Sequence, residues 1–426
     1  MERKQEEKKM FKSEKEAAVL KTVYGEENVE KQQKRYEHLL EGFEKNFGEG
    51  QVDFFTSPGR TEILGNHTDH NHGKVLTGSI AMDTIAAARK NGTSVVHVIS
   101  EGYAPITIDL EHLDSKCKCK GTLSLLIGMF EAALKKGYKV EGFDAYIVTD
   151  VIGAAGVSSS ASFEMLICAI FDYFSNENKI GYVEYAKIGQ YAEHEYWLKQ
   201  SGLLDQMACA VGGVISIDFK EDMPKVEKLD FGYDQLGYDL IIVNTGKGHA
   251  DLSAEYSAVP VEMKNAAKVF GKEVLADVEE QEFMANINKV RKEAGDRAVM
   301  RALHFFGEQK RVDKAVKAIK EKDYLTFLEC ITKSGNSSWK WLQNCFATKD
   351  EREQAVPVAL ALTELFIEEK GRGYCRVHGG GFAGVIAAVL PHDLTPEYVE
   401  TMTPYMGKEN IYVMQIRQTG AVHMDF

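Results

Sequence analysis

Apolar residues recur at helical spacing through residues 1–48, at Ala18, Leu20, Val23, Tyr36, Leu39, Leu40 and Phe43, with charge between them. A stripe of that period predicts an amphipathic helical segment that caps the rest of the fold. The pattern then changes. Residues 52–55 read as a short strand, and 80–89 and 94–100 as two more, the last closed by a Glu101-Gly102 turn. Helical spacing over 122–136 stops at Gly137. A β-rich run at 143–148 leads into a small-residue segment, 153–160, and then a helix that buries Phe163, Leu166, Ile167, Ile170, Phe171 and Phe174 on one face. Residues 183–198 predict a second helix, 212–218 and 240–245 strands, and 264–328 several charged helices. The last third mixes a helix at 355–369 with strands at 375–378, 385–390 and 411–417. No repeat or low-complexity linker interrupts the chain. The mixture predicts an α+β protein: an extension over 1–48, then two interlocked domains at 49–237 and 238–426.

Composition narrows the function classes. The 426 residues are 44% apolar and 27% charged, which supplies ample core for domains of that size. A net charge of −13 argues against a nucleic-acid or membrane partner, because phosphate backbones and anionic lipids attract basic surfaces. It leaves room for a nucleotide, whose phosphates can be held locally by backbone N–H groups. No apolar run is long enough to span a bilayer, and the opening MERKQEEKKMFKSEKE has no signal-peptide core. Seven Cys without a CxxC pair fit reduced thiols in a cytoplasm, with Cys117 and Cys119 read as loop thiols.

Three segments concentrate polar chemistry. Residues 57–76, SPGRTEILGNHTDHNHGKVL, crowd glycine, Arg and short polar, acidic and imidazole side chains into what reads as a turn-rich loop outside the core. Such a composition calls for a ligand. Residues 153–162, GAAGVSSSAS, lie between a predicted strand and a predicted helix. Small residues there let N–H groups approach an anion, and the helix N-terminus adds its dipole. The serines could cap the helix, bind phosphate or ligate Mg²⁺. No GxxxxGKS/T occurs, so this is not a P-loop. Residues 379–384, GGGFAG, satisfy GxGxxG, but the strand-like run that follows argues against a dinucleotide fold. Three successive glycines favour close approach to a ligand over a mere turn. His67, Asp69, His70 and His72 spell HxDHxH, which leaves a transition-metal site open, with His70 and His72 also readable as solvated loop residues.

In this order the segments resemble the three motifs of the galactokinases, a branch of the GHMP family of small-molecule kinases. Arg60, His67, Thr68 and Asp69 match the first motif; Asn66 stands where Glu is usual and His70 where Tyr is usual. Gly156, Val157, Ser158, Ser159, Ser160 and Ala161 match the end of the phosphate loop, while Ile152 and Ala154 depart from its start. Arg376, Gly379, Gly380, Gly381, Phe382 and Gly384 match the third, with His378 for Thr and Ala383 for Gly. The run AEHEYWLKQSGLLDQ places Glu193 at the family's Mg²⁺ carboxylate and Asp205 at its catalytic carboxylate. Tyr256 aligns with a sugar-contacting Tyr, though Val259 and Pro260 replace the Arg pair that usually follows. Arg301, His304, Glu308 and Arg311 match a further helical motif and read as structural.

The resemblance implies a two-domain GHMP kinase fold: an N-terminal mixed-sheet α/β domain similar to domain 2 of ribosomal protein S5, and a C-terminal ferredoxin-like α+β domain. It implies an ATP-dependent sugar 1-kinase, galactose being the sugar, working with Mg²⁺ in the cytoplasm as a monomer or weak dimer. Arg60 and Asp205 would be catalytic, with Arg60 and Mg²⁺ meeting the charge of the phosphoryl group and Asp205 accepting or orienting the hydroxyl proton. Asn66, His67, Asp69, Tyr256 and Gly380 would hold the sugar, residues 156–161 the phosphates, and Ser160 with Glu193 the metal. Two alternatives stay open. The amide of Asn66 would tolerate a C6 carboxylate, so galacturonate or another C6-modified hexose is one. A catalytically silent sugar sensor is the other. A mevalonate or homoserine kinase is disfavoured by the HTD and GLLDQ segments.

Overall fold

The computed structural model describes residues 11, 13–118, 121–153, 156–199, 201–246 and 252–426. In chain order the strands are β1 (Asp53–Leu64), β2 (Lys74–Lys90), β3 (Val95–Ser100), β4 (Ile106–Asp109), β5 (Phe143–Thr149), β6 (Val214–Asp218), β7 (Lys225–Leu229), β8 (Tyr238–Asn244), β9 (Tyr374–His378), β10 (Val385–Pro391), β11 (Ile411–Met414) and β12 (Val422–Met424). The helices are α1 (Glu14–Tyr24), α2 (Val29–Phe47), α3 (Thr122–Lys135), α4 (Ser159–Ser175), α5 (Tyr182–Glu195), α6 (Leu204–Val211), α7 (Ser253–Lys268), α8 (Glu280–Ala285), α9 (Ile287–Ala294), α10 (Asp296–Lys320), α11 (Tyr324–Ser337), α12 (Ala355–Lys370) and α13 (Thr395–Met406).

The strands form two sheets. The larger runs β12-β1-β2-β5-β3-β4, with β6 and β7 joined to the far half of β2, and only β3–β5 is parallel. Its β1–β5 region is covered on both faces, and the period of two along each strand shows it. Phe55, Ala86, Ala88, Ala145 and Ile147 pack with α3 and α4. Their neighbours Phe54, Ile85, Ala87, Tyr146 and Val148 pack with Leu20, Tyr36, Leu39, Leu40 and Phe43 of α1 and α2. The predicted helical cap is therefore an integral layer; residues 1–10 lie outside the described part. The smaller sheet runs β11-β8-β10-β9, antiparallel throughout, between a core shared with α10 and α11 and another shared with α12 and α13.

Two lines of contact tie the chain's ends together. β12, at the C-terminus, pairs with β1. Beside it, the fully buried Asp83 of β2 takes Arg417 Nη1 at 2.5 Å, Arg35 Nη1, Thr56 Oγ1 at 2.5 Å and Tyr24 Oη at 2.6 Å. Burial alone would raise this carboxyl, but Arg35 and Arg417 outweigh it and hold it down at about 2.

Several sequence expectations need correction. The short strand at 52–55 is a long one, and the first polar motif is not a loop outside the core: residues 57–64 lie in β1 and are buried. Pro58 and Gly59 read as turn signals, yet the pairing of β1 with β2 absorbs them as a register shift between Pro58 and Arg60. A bulge there bends the strand and re-aims the next side chain, which is Arg60. Only residues 65–73 form the connecting loop, and Asn66, Thr68 and Asn71 within it are buried. The short α6 and the strands β4 and β7 were not legible in the apolar pattern, nor was α13. The departure at Ala154 and the thiol of Cys119 lie outside the described residues.

Candidate active site

The serine turn begins where β5 ends. Gly156 has φ +64° and Ser158 has φ +60°, so the backbone passes twice through the left-handed region before α4 starts at Ser159. Ser158 occupies the N-cap position but its hydroxyl does not cap the helix. It donates instead to Asp205 Oδ2. The first-turn amides of α4 thereby stay unsatisfied by that side chain, and this is the arrangement that receives an anion at a helix N-terminus.

Arg60 joins the same carboxylate to the backbone of the turn. Its Nε donates to Asp205 Oδ1 at 2.8 Å, its Nη1 donates to the Gly156 carbonyl, and its backbone N–H donates to the Val157 carbonyl at 3.1 Å. Val157 and Ala161 anchor the turn by burial. Asp205 lies in the first turn of α6, near the positive end of its dipole. Burial pushes Asp205 up, but Arg60, the Ser158 hydroxyl and Lys199 together hold it below the usual carboxylate range. It is therefore a carboxylate that is aimed and ion-paired, and only weakly basic. A candidate phosphate turn, the catalytic Arg and the catalytic acid of the sequence reading thus meet through direct hydrogen bonds.

A second group of oxygens adjoins the turn. Ser160 Oγ donates to Glu193 Oε1 at 3.2 Å, and Gln206 Nε2 lies 3.4 Å from Glu193 Oε2. Glu164, one helical turn beyond Ser160, has its Oε1 buried without a partner among the described residues. Burial, then the neighbouring Glu193 charge, push Glu164 well above the usual range. That is the response of a carboxylate cluster short of positive charge. All the donors are hard oxygens, so the set suits Mg²⁺.

The first and third motifs hold each other. His67 Nε2 donates to the Gly380 carbonyl at 2.8 Å, and Tyr256 Oη donates to the Gly381 carbonyl at 2.7 Å. Burial pushes the His67 ring down to about 3, so it is neutral and carries its proton on Nε2. His378 Nε2 accepts from the Glu62 N–H at 3.2 Å and faces Thr61 Oγ1 at 2.9 Å. Its Nδ1 therefore bears the proton, beneath Gly156. Asp69 lies against Gly202, three residues before Asp205; a Cβ on Gly202 would sit 1.7 Å from Asp69 Oδ2, so any larger residue there would push the Asp69 carboxylate aside. The helical motif on α10 fixes this loop from behind: Glu308 accepts from the Gly65 N–H at 2.9 Å, and His304 Nε2 meets the Asn66 carbonyl at 2.9 Å.

Asn66 is placed differently from its sequence reading. Its Nδ2 donates to Glu62 Oε1 at 2.9 Å and to the Gly379 carbonyl at 2.7 Å. Its Oδ1 accepts from Asn344 Nδ2 at 2.8 Å and Ser338 Oγ at 3.2 Å. All four hydrogen-bonding positions of the amide are filled inside the protein. The partner Glu62, buried and bridged to Arg376 Nη2 at 2.8 Å, escaped the sequence reading. A signal was present: the motif pattern has Asn at position 62 and Glu at position 66, and this chain exchanges them. Lys199, 2.6 Å from Glu193 Oε1, also went unread. The HxDHxH reading finds no support in the geometry: among the described residues, the metal-ligand types that converge are Asp109, Glu111 and His112 on an outer turn.

Residues 41–90 match the galactokinase galactose-binding signature, and residues 124–213 match the GHMP kinases N terminal domain. The chain is 31% identical over 370 residues to a galactokinase of Lactococcus lactis, covering 83% of this chain and 87% of that one. It is 28% identical over 360 residues to a galactokinase of Clostridium tetani, with the same coverage of 83% and 87%. The crystal structure of Lactococcus lactis galactokinase complexed with galactose superposes with a TM-score of 0.76 at 26% identity, over 91% of this chain and 99% of that chain. A mevalonate kinase structure shares the fold at 14% identity, with a TM-score of 0.59 over 86% of this chain and 99% of that one.

Proposed function

The chain belongs to the galactokinase family of the GHMP kinases, and from that premise we propose how its residues divide the work of the reaction. The protein is an ATP-dependent sugar 1-kinase: ATP and galactose give galactose 1-phosphate and ADP. The observation that carries the residue assignment is the three-way contact of Arg60, Asp205 and the serine turn.

Amides of residues 156–161 and the N-terminus of α4 hold the phosphates. Arg60 supplies fixed positive charge beside them, where charge spreads in the transition state. Asp205 accepts the hydrogen bond of the anomeric hydroxyl and points its oxygen at the terminal phosphorus. Because Arg60 and Ser158 already hold this carboxylate in its charged form, its main role is orientation; as the bond from O1 to the terminal phosphorus forms and the bond to ADP breaks, the hydroxyl proton passes along its hydrogen bond to Asp205 and from there to solvent. Ser160 and Glu193 hold Mg²⁺, which when bound supplies further positive charge to the phosphates. His67, Asp69, Tyr256 and Gly380 shape the sugar pocket. Asn66 belongs to its wall: with its amide saturated, it fixes Gly379 and Glu62 and has no free donor for a sugar hydroxyl.

That saturation also bears on the substrate. The neutral amide faces protein groups, so it gives a C6 carboxylate no favourable partner, and the buried charge of Glu62 behind it opposes one. Arg60, Asp205 and Ser158 are engaged as a working set, which counts against a silent sensor. The division into domains at 49–237 and 238–426, and action as a monomer or weak dimer in the cytoplasm, belong to the same proposal. The division is supported by the two distinct sheets, which share an apolar core along their junction through Ile63, Leu64, Ile242 and Val385, and a reducing compartment fits the buried, unbridged Cys168, Cys209, Cys330, Cys345 and Cys375. A coupled assay of ADP release over hexoses, uronates and amino sugars tests the substrate. Galactose is expected to give the highest kcat/KM, with galacturonate at least about a hundredfold lower, as when a site's buried polar groups lose their partners. A galacturonate or N-acetylgalactosamine value above that of galactose would overturn it.

A further inference from the structure

Lys199 stands on the carboxylate that the metal needs. Its Nζ lies 2.6 Å from Glu193 Oε1, the oxygen to which Ser160 Oγ also donates. The two side chains differ in freedom: Glu193 is 1% exposed and Lys199 is 50% exposed. The backbone delivers this lysine deliberately. Just beyond α5 the chain folds back on the helix end: the Lys199 N–H reaches back to the Glu193 carbonyl at 3.0 Å, and Leu198 takes φ +54°. A left-handed leucine is strained, and this one is 72% exposed, so no packing of its own side chain compensates. The strained turn places Lys199 over the carboxylate at the helix end. Around it stand Glu164, Glu193 and Asp205, and its ammonium answers their combined field.

We propose that Lys199 is a competing cation for the divalent-metal site: its ammonium holds Glu193 in the free enzyme and has to be displaced before that carboxylate takes a metal ion. A buried carboxylate left without a cation is unfavourable, so Lys199 keeps the empty site stable. A half-exposed ammonium returns to water with little penalty, so displacement is open to a divalent ion. The consequence is a metal affinity lower than the oxygen set alone would give. This inference rests on Glu193 being the metal carboxylate.

The test is Mn²⁺ binding at saturating ADP, followed by water-proton relaxation, on the full chain. Lys199→Met is expected to tighten Mn²⁺ binding about fivefold to tenfold, the scale of a part-exposed, charge-assisted contact. Lys199→Arg, which keeps the charge, is expected to stay near the wild-type value. Affinity unchanged within about twofold, or weaker, in Lys199→Met overturns the proposal. Glu193→Gln in the same assay separates the two readings. If it weakens Mn²⁺ while Lys199→Met has no effect, only the competing-cation role falls. If Glu193→Gln leaves Mn²⁺ binding unchanged, the metal assignment of Glu193 falls with it.

Discussion

Asp205→Asn is expected to lower kcat by about 10²–10⁴-fold, with KM for ATP changed by only a few-fold. The amide keeps the volume and one acceptor, but loses the charge that pairs with Arg60 and the second acceptor that takes Ser158. The anomeric hydroxyl is then no longer aimed, and Arg60 is left beside the turn without its counter-ion. Steady-state kinetics check the magnitude, and circular dichroism checks that the fold persists. A rate within about tenfold of wild type would remove Asp205 from the mechanism. The pH dependence follows from the same contacts. A carboxyl held below its usual range is ionised in the folded enzyme at all ordinary pH, and its charge is lost only as pH falls through that lowered value. Wild-type kcat should therefore show no acid limb from Asp205 between about pH 5 and 8.

The largest stability effect is expected at Asp83, far from the chemistry. Asp83→Ala leaves Arg417 and Arg35, 1% and 9% exposed in their side chains, with no carboxylate between them. Breaking a buried charge cluster by removing one member costs about 3–5 kcal/mol. Against a typical total of about 5–15 kcal/mol, that is a large fraction of the fold's stability. Urea unfolding at neutral pH checks it, and a loss under about 1 kcal/mol would contradict the account. The sign with pH is fixed by the depressed carboxyl. With Asp83 held at about 2 against a usual 3.8, its contribution is complete above the higher value and fades as pH falls toward the lower. The same cluster explains why α1 and α2 belong to the body of the fold: Tyr24 and Arg35 reach Asp83 from those helices.

The chemistry of the site was more legible than its framework. Glycines and serines between a strand and a helix leave two readings, an anion-binding turn and a serine-capped helix, and the structure bears on the choice because the Ser158 hydroxyl turns to Asp205 instead of capping α4. Asp205 and Glu193 were singled out by matching spaced motifs; Glu193 lies near the end of the helix predicted at 183–198, whereas the helix that carries Asp205 was not visible in the apolar pattern, since α6 is only eight residues long. The first motif misled in another way. Pro58 and Gly59 signal a turn locally, but pairing with β2 and burial on both faces override them, and the disturbance survives as a bulge. The polar residues taken as a ligand loop are buried because the protein itself satisfies them: Asn66 is closed by Glu62, Gly379, Ser338 and Asn344. Those partners lie up to 313 residues away, so no local pattern could reveal them. Ion pairs such as Glu62–Arg376 and Lys199–Glu193 share this limit. A charged side chain in a sequence reads as surface until the fold shows which opposite charge it meets.

The most direct test is to identify the bond that is made. Galactose labelled with ¹³C at C1 is incubated with the protein, ATP and Mg²⁺, and the product is followed by ³¹P and ¹³C NMR. A single new sugar phosphate whose phosphorus couples to the labelled carbon is the result expected when Asp205 directs O1 to the terminal phosphorus. Phosphate on any other sugar oxygen, or ATP turned over with no sugar ester formed, would contradict it.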